Sequence, residues 1–115
     1  MAENPPPAAG AAPPAMADAL ARLWTKFLPE IESRVAILEA AARAHASGSL
    51  TEQQREQAHA AAHKLSGTLG TFGLHRGTEL ARECENFLAG EHPSTPKFEL
   101  ESKTAELQAL IRSRG

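Results

Sequence analysis

The histidine at position 63 is the side chain of this sequence best placed to do chemistry. It lies within residues 58–73, AHAAAHKLSGTLGTFG, where most of its neighbours are small. Imidazole has an unperturbed pKa of about 6.5, so at neutral pH a ring nitrogen is free to act as a nucleophile. Such a nitrogen can attack an activated phosphoryl group in line and form a phosphoramidate. His63 is therefore a candidate phosphoryl acceptor.

The helical pattern of this stretch places His63 on its polar side. Apolar residues recur in steps of four and three and predict a buried seam of Ala58, Ala62, Leu65, Leu69 and Phe72. At about 100° per residue, His63 lies roughly 140° from the centre of that seam and should face solvent. The residues that share its side of the helix are His59, Ser66, Gly67 and Gly70.

Gly67 and Gly70 are unusual residues for the exposed side of a helix. Each lowers helix stability by about 1 kcal/mol, and neither lies on the side that packs into a core. They leave space beside the imidazole through which a partner protein can approach. Lys64 and Ser66 are the candidates for contacts with a phosphoryl group or with that partner.

The sequence lacks the parts that would activate a phosphoryl group without help. It has no glycine-rich nucleotide loop, no acidic metal cluster and no second nucleophile beside the histidine. The spacing of His59 and His63 suits two zinc ligands, but neither an acid nor a cysteine stands near them in sequence, so we assign no metal. We expect a phosphotransfer protein without its own nucleotide site, metal site or cofactor, and whether it is an enzyme stays open.

Composition limits the remaining classes of function. The chain has 115 residues, a net charge of −2 and a pI near 6.2, which predicts one domain that binds neither nucleic acid nor membranes. No apolar run approaches the roughly 18 to 20 residues of a membrane span, and no signal peptide is evident. The single cysteine, Cys84, has no internal partner and fits a reducing compartment. We expect a cytoplasmic monomer.

Helix signals divide the chain into a tail and a bundle. Residues 1–13 are rich in proline and alanine and are interpreted as a disordered tail or linker, whereas residues 14–115 form the helical domain. Helices are predicted from Pro14 to Leu28, from about Pro29 to Ala46, from Thr51 to near Gly73, from about Leu74 to Leu88, and from a cap at Thr95 with Pro96 as first residue. The first has an apolar face of Met16, Leu20, Leu23 and Phe27, with Trp24 beside it.

The later helices carry clear capping and packing signals. Thr51 and Gln54 form a capping-box pattern, and Gly48 is a candidate left-handed cap before it. The same stepping by four and three predicts one buried seam in each of the other bundle helices: Ile31, Val35, Leu38 and Ala42; Leu74, Gly77, Ala81, Cys84 and Leu88; and Leu100, Thr104, Leu107 and Ile111. Gly77 on its apolar face predicts a close helix approach, and Cys84 is expected in the core. Short connections between such helices predict an all-α, antiparallel up-and-down four-helix bundle with an additional short N-terminal helix.

The residues around His63 resemble a known motif. His63-Lys64-Leu65-Ser66-Gly67, followed by Gly70 and Gly73, is similar to the motif H-x-L-x-G-x-x-x-x-x-G, preceded by alanines, of histidine-containing phosphotransfer (HPt) domains. The helical pattern resembles that family over residues 15–113. The resemblance implies a four-helix bundle whose exposed histidine carries phosphoryl groups to and from the aspartate of receiver domains in two-component phosphorelays.

The resemblance also implies which partners the protein has, and the sequence departs from the family pattern at one position. His63 would accept a phosphoryl group from a receiver aspartate or a histidine kinase and pass it to another receiver, which supplies Mg²⁺. The family usually has lysine where this chain has Ser66, so Lys64 is the nearest cation in the sequence. Two alternatives stay open: a bundle that binds a receiver or kinase through the same face without being phosphorylated, and the substrate domain of a histidine kinase.

Overall fold

The computed structural model describes residues 14–90 and 99–114, which form four α-helices and no strand. The helices are α1 (Pro14–Ala46), α2 (Glu52–Thr71), α3 (His75–Leu88) and α4 (Leu100–Arg114). Both α1 and α3 pack against α2 and α4, which closes the four helices around one core. This arrangement confirms the predicted four-helix bundle. None of the helices within these ranges is both long and apolar enough to cross a membrane.

The core consists of the apolar seams that the helical periodicity predicts. Each buried aliphatic side chain contributes about 1.5–3 kcal/mol to folding. The buried seam residues are Ile31, Val35, Leu38 and Ala42 in α1, Ala58, Ala62, Leu65 and Leu69 in α2, Gly77, Ala81, Cys84 and Leu88 in α3, and Leu100, Thr104, Leu107 and Ile111 in α4. Phe72, predicted in the α2 seam, is half-buried against this core.

The structure differs from the sequence prediction at Pro29, which lies inside α1 instead of separating two helices. The predicted short N-terminal helix is thus the first part of one long helix. A proline in a helix lacks the N–H of one hydrogen bond and costs about 3 kcal/mol. Pro29 is exposed, whereas Trp24 and Ile31 on either side of it are buried in one core. We attribute the continuous helix to this shared burial, which holds both halves in line.

The N-terminal part of α1 also packs differently from the prediction. Met16, Leu23 and Phe27 of the predicted apolar face are exposed by 52%, 41% and 37%. Trp24 makes the contact instead, edge-on to Phe72 with ring centroids 5.2 Å apart. Met16 is exposed because α1, with 33 residues against 20 in α2, is longer by about 20 Å and extends past the end of α2. Leu23 and Phe27 lie level with α2 but line a surface groove with Thr68, Thr71 and Phe72 instead of entering the core.

Local capping signals fix the start of α2 as predicted. The Gln54 N–H donates to the Thr51 hydroxyl, and the Thr51 N–H donates to the Gln54 side chain, which completes the capping box. Gly48, with a φ of 73°, turns the chain between α1 and α2 in the left-handed region. The predicted tail at residues 1–13 and the predicted helix start at Thr95 and Pro96 lie outside the described residues.

The connection from α2 to α3 is short and sets the register between these two helices. Gly73 has a φ of 74° and reverses the chain within three residues. Gly77 is buried, and a Cβ there would lie 3.1 Å from Cδ1 of Leu69. This confirms the close approach predicted from a glycine on an apolar face. The two helices form one hairpin, with a core-facing inner side and a solvent-facing outer side.

Candidate functional site

His63 lies on the outer side of the α2–α3 hairpin. Its side chain is 71% exposed, as the helical position predicts. Ala62 and Leu65, its neighbours in sequence, are fully buried and hold this part of α2 against the core. The packing of the inner side therefore fixes the direction in which the imidazole points.

A carboxylate from α3 holds the imidazole. Oε2 of Glu85 lies 2.8 Å from Nδ1 of His63. The same oxygen is 4.0 Å from Nε2 of His59, the half-buried residue one turn earlier on α2. Only a fifth of the Glu85 side chain is exposed, so its position is set by the two helices around it. The structure thus brings together His59 and His63, as predicted, and adds Glu85.

Glu85 is a site residue that sequence reasoning missed. The signal that leads to it is the hairpin register, because an antiparallel pair brings together residues at similar distances before and after its connection. His63 precedes Gly73, where the chain reverses, by ten residues, and Glu85 follows it by twelve. Cys84, predicted in the core, also implies that Glu85 lies at the edge of the buried face of α3.

The hydrogen bond to Glu85 defines the state of the ring. A carboxylate only accepts hydrogen bonds, so Nδ1 of His63 is the nitrogen that carries the proton and donates. In the neutral imidazole, Nε2 then keeps its lone pair. The arrangement supplies an exposed ring with an oriented nucleophilic nitrogen and a negative charge beside the other nitrogen.

Ser66 makes contacts with the backbone. Its hydroxyl donates to the carbonyl oxygen of His63 at 2.7 Å, within its own helical turn. Thr78 of α3 donates in turn to the carbonyl oxygen of Ser66 at 3.3 Å. Ser66 and Thr78 therefore join α2 to α3 below the imidazole, and the Ser66 hydroxyl is already engaged.

The two glycines beside His63 have different surroundings. A Cβ at Gly67 would have no atom within 4 Å, so this glycine borders open space. A Cβ at Gly70 would lie 3.5 Å from the Thr78 hydroxyl oxygen, so Gly70 lies beside α3 at an ordinary contact distance. Gly67 accordingly fits the predicted role of clearing the approach to His63, and Gly70 lies where α2 contacts α3.

The other flank of His63 faces α1 and carries both apolar and polar side chains. Lys64 is exposed there, and it has no ion pair with any residue in the described ranges. Ile37 of α1 is an exposed aliphatic residue, at 39%. A groove of about 330 Å³ continues along this flank toward the end of the bundle. Its lining residues are Leu23, Phe27, Glu30, Arg34, Thr68, Thr71 and Phe72.

The described residues form neither a metal site nor a reactive thiol. Within residues 14–90 and 99–114, no group of three or more histidine, cysteine or acidic side chains is placed to hold a metal ion. Cys84 is buried in the core as predicted, and burial raises the pKa of its thiol to about 12, with the Glu83 charge adding to the shift. The thiol is therefore protonated and closed off at neutral pH.

Comparison with known proteins identifies a family and a curated relative. A family model described as Hpt domain matches residues 22–113. Protein RcaC of Microchaete diplosiphon is 40% identical over 74 residues, which cover 64% of this chain and 11% of that protein. The chain therefore spans only a small part of the length of this curated relative. No solved structure gives a significant match.

Proposed function

The chain belongs to the Hpt domain family, whose model matches most of its length, and from this premise we propose that His63 is its phosphoryl acceptor. Family membership gives the general role, histidine phosphotransfer in a phosphorelay. The observation that supports the choice of residue is the exposed imidazole of His63, whose Nδ1 is held by Glu85 at 2.8 Å.

The proposed step is an in-line attack by Nε2 of His63 on the phosphorus of a receiver's aspartyl phosphate. The lone pair of Nε2 forms the N–P bond. The bond from phosphorus to the aspartate oxygen breaks, and its electron pair stays on the released carboxylate. The proton on Nδ1 does not move, so the product is a positively charged phosphoimidazolium ring. Transfer to a second receiver is the same step in reverse.

Glu85 has two tasks in this step. Its hydrogen bond keeps the proton on Nδ1 and so directs the phosphoryl group to Nε2. As the N–P bond forms, positive charge develops on the ring, and a carboxylate at this distance stabilises that charge. Glu85 thus acts through His63 and is a positioning residue.

The partner that fits this surface is a receiver domain. Hpt domains interact with receiver domains and kinases in phosphorelays. We place the receiver aspartate over His63 and Gly67, where space is open, and the body of the receiver on the flank with Ile37 and Phe27. Exposed apolar residues beside a polar centre are typical of docking surfaces. The receiver would bring the Mg²⁺ that neutralises phosphoryl charge during transfer.

The test is phosphotransfer from a panel of phosphorylated receivers to three proteins: wild type, His63→Gln and His75→Gln. His75 is an exposed histidine at the start of α3, outside the site. We expect wild type and His75→Gln to take up acid-labile label, and His63→Gln to take up none. Label on His63→Gln overturns the assignment. A receiver that binds wild type tightly without labelling it supports the alternative of a binding-only bundle.

A further inference from the structure

Phosphorylation of His63 creates an electrostatic problem at the site. The phosphoryl group adds about −1.5 to −2 charges at neutral pH. It would lie on the same ring as the nitrogen that Glu85 binds at 2.8 Å. The positive charge of the phosphoimidazolium ring is already paired with the Glu85 carboxylate, so the negative charge of the phosphoryl group has no partner of its own. A cation within reach of Nε2 would lower the free energy of the phosphorylated state.

Ser66 cannot supply that charge, and Lys64 is poorly directed for it. The hydroxyl of Ser66 is neutral and bonded to the backbone. Lys64 follows His63 directly, and adjacent residues of a helix project about 100° apart and do not face each other. Lys64 therefore projects toward the α1 flank, where the receiver is expected to dock.

Arg82 is the cation on the opposite flank. It lies on α3 one turn before Glu85 and one turn after Thr78, positions that share one side of a helix. Both of those neighbours contact α2 at the site, Glu85 through the His63 ring and Thr78 through the Ser66 carbonyl. Arg82 therefore lies on the solvent side of the α2–α3 contact, between Thr78 and Glu85 along α3.

Arg82 is an exposed residue. It has no ion pair or hydrogen bond with any residue of the described ranges, and it is thus unlike Arg76, which is bonded to Glu106 at 2.8 Å. The facing positions of α2 are small, and nothing lies within 4 Å of a Cβ at Gly67. A long side chain from α3 can cross this space to the outer side of His63.

We propose that Arg82 contacts the phosphoryl group on His63 and supplies the positive charge that position 66 lacks. The proposal rests on the proposed function of His63. The planar guanidinium donates two parallel hydrogen bonds to phosphoryl oxygens, a geometry that suits phosphate groups. The contact forms only when the phosphoryl group is present, so it favours the phosphorylated state over the free histidine. Arg82 makes and breaks no covalent bond in the transfer.

The test uses a donor that needs no receiver. Phosphoramidate phosphorylates exposed histidines chemically: the ring nitrogen bonds to phosphorus while the P–N bond to ammonia breaks. ³¹P NMR then follows the phosphohistidine signal as pH is varied. The proteins are wild type, Arg82→Ala, Arg82→Lys, Lys64→Ala and Arg43→Ala, and His63→Gln identifies the signal. Arg43 is an exposed arginine of α1 outside the site, and its variant carries the same charge change.

A guanidinium in contact with the phosphoryl group favours its dianion. We therefore expect the midpoint of the ³¹P titration to rise by about one pH unit in Arg82→Ala, which corresponds to a tenfold change in the protonation equilibrium. Arg82→Lys should recover part of the shift, and Arg43→Ala should match wild type. Transfer from a phosphorylated receiver should slow roughly tenfold in Arg82→Ala and should keep the wild-type rate in Arg43→Ala.

Three outcomes would each overturn a different part of the account. If the midpoint in Arg82→Ala equals that of wild type, Arg82 does not contact the phosphoryl group, and the role of His63 stands. If Lys64→Ala shows the shift and Arg82→Ala does not, Lys64 is the cation. If wild type gives no signal that is lost in His63→Gln, the proposed function itself fails. Circular dichroism spectra equal to that of wild type exclude unfolding as the cause.

Discussion

The inner and outer sides of the α2–α3 hairpin share the same two helices and have opposite properties. On the inner side, Leu65, Leu69 and Cys84 are completely buried. On the outer side, His63 is exposed by 71% and is held by one hydrogen bond to Glu85. The inner side contributes most of the apolar burial that stabilises the hairpin, and the outer side contributes little. Rigid packing on one side thus allows an accessible nucleophile on the other.

The contrast is sharpest between adjacent residues of α3. Cys84 lies in the core with a thiol pKa raised to about 12 by burial, with the Glu83 charge adding to the shift. Glu85, the next residue, reaches across the outer side to the His63 ring. A rotation of about 100° along the helix separates the two environments. Substitutions on the inner side should therefore change stability, and substitutions on the outer side should change phosphotransfer.

The largest outer-side effect is expected at Glu85. Glu85→Ala removes the group that orients the ring and stabilises its positive charge, and we expect the rate of phosphotransfer to fall about 100-fold. Glu85→Gln keeps an acceptor for Nδ1 and loses the charge, so its rate should fall roughly tenfold. Rapid-quench kinetics with a phosphorylated receiver measures both rates.

The matched control is Glu32→Ala, the same change at an exposed carboxylate of α1. Its rate should equal that of wild type. Thermal unfolding should show nearly unchanged stability for all three variants, because Glu85 contributes one partly exposed contact. A Glu85→Ala protein that transfers phosphoryl groups at the rate of wild type contradicts the role of this carboxylate.

Two glycines test the difference between the two sides of the hairpin, because Gly77 lies on the inner side and Gly67 on the outer side. Gly77→Val places new methyl groups against Leu69 and Leu107, where a Cβ would already be 3.1 Å from Leu69. We expect it to lower the free energy of unfolding by about 1–3 kcal/mol. Gly67→Ala adds a methyl group in open space within a helix, so it should raise that free energy by about 0.5–1 kcal/mol. Urea unfolding measures both changes.

In Gly67→Ala, the rate of phosphotransfer should fall while the free energy of unfolding rises. A methyl group there enters the space through which the receiver approaches, so Gly67→Ala should transfer more slowly although it is more stable. Gly77→Val should transfer at a normal rate under conditions in which it stays folded. A Gly67→Ala protein that is more stable and equally fast would show that the open space beside His63 has no role in docking.

An effect that is confined to alkaline pH comes from Cys84 on the inner side, as a dependence of stability on pH. Burial raises the pKa of its thiol from 9.0 in the exposed state to about 12 in the folded protein. The folded state therefore keeps the proton more tightly, so the contribution is complete below pH 9 and is lost as pH rises toward 12. Between pH 8 and pH 10, wild type should lose about 1 kcal/mol more stability than Cys84→Ala. Equal losses would contradict the burial of the thiol.

The parts of the fold that could be predicted from sequence depend on neighbours within one helix. The seams follow from helical periodicity, and the Thr51–Gln54 capping box is a local pattern, so both are confirmed. The helix boundary predicted at Pro29 is wrong, because the tendency of proline to interrupt a helix is outweighed by the burial of residues before and after it. Propensity alone contains no information about that distant packing.

The part of the site that could be predicted from sequence is the part that depends on a single helix. The exposure of His63 follows from its own helix, whereas Glu85 is 22 residues away and reaches it only through the hairpin register. The Ser66 hydroxyl donates to a carbonyl oxygen because of the rotamer that the side chain adopts, and the residue type alone does not determine that rotamer. Arg82 also becomes a candidate only once the two helices are placed side by side.

The most direct test of the outer-side account is the position of the phosphoryl group on the phosphorylated protein. Protein labelled with ¹⁵N-histidine is phosphorylated by a receiver, and ³¹P–¹⁵N couplings identify the residue and the nitrogen that carry phosphorus. The account predicts phosphorus on Nε2 of His63, with the proton retained on Nδ1 opposite Glu85. Phosphorus on Nδ1 of His63, or on His59 or His75, would contradict it.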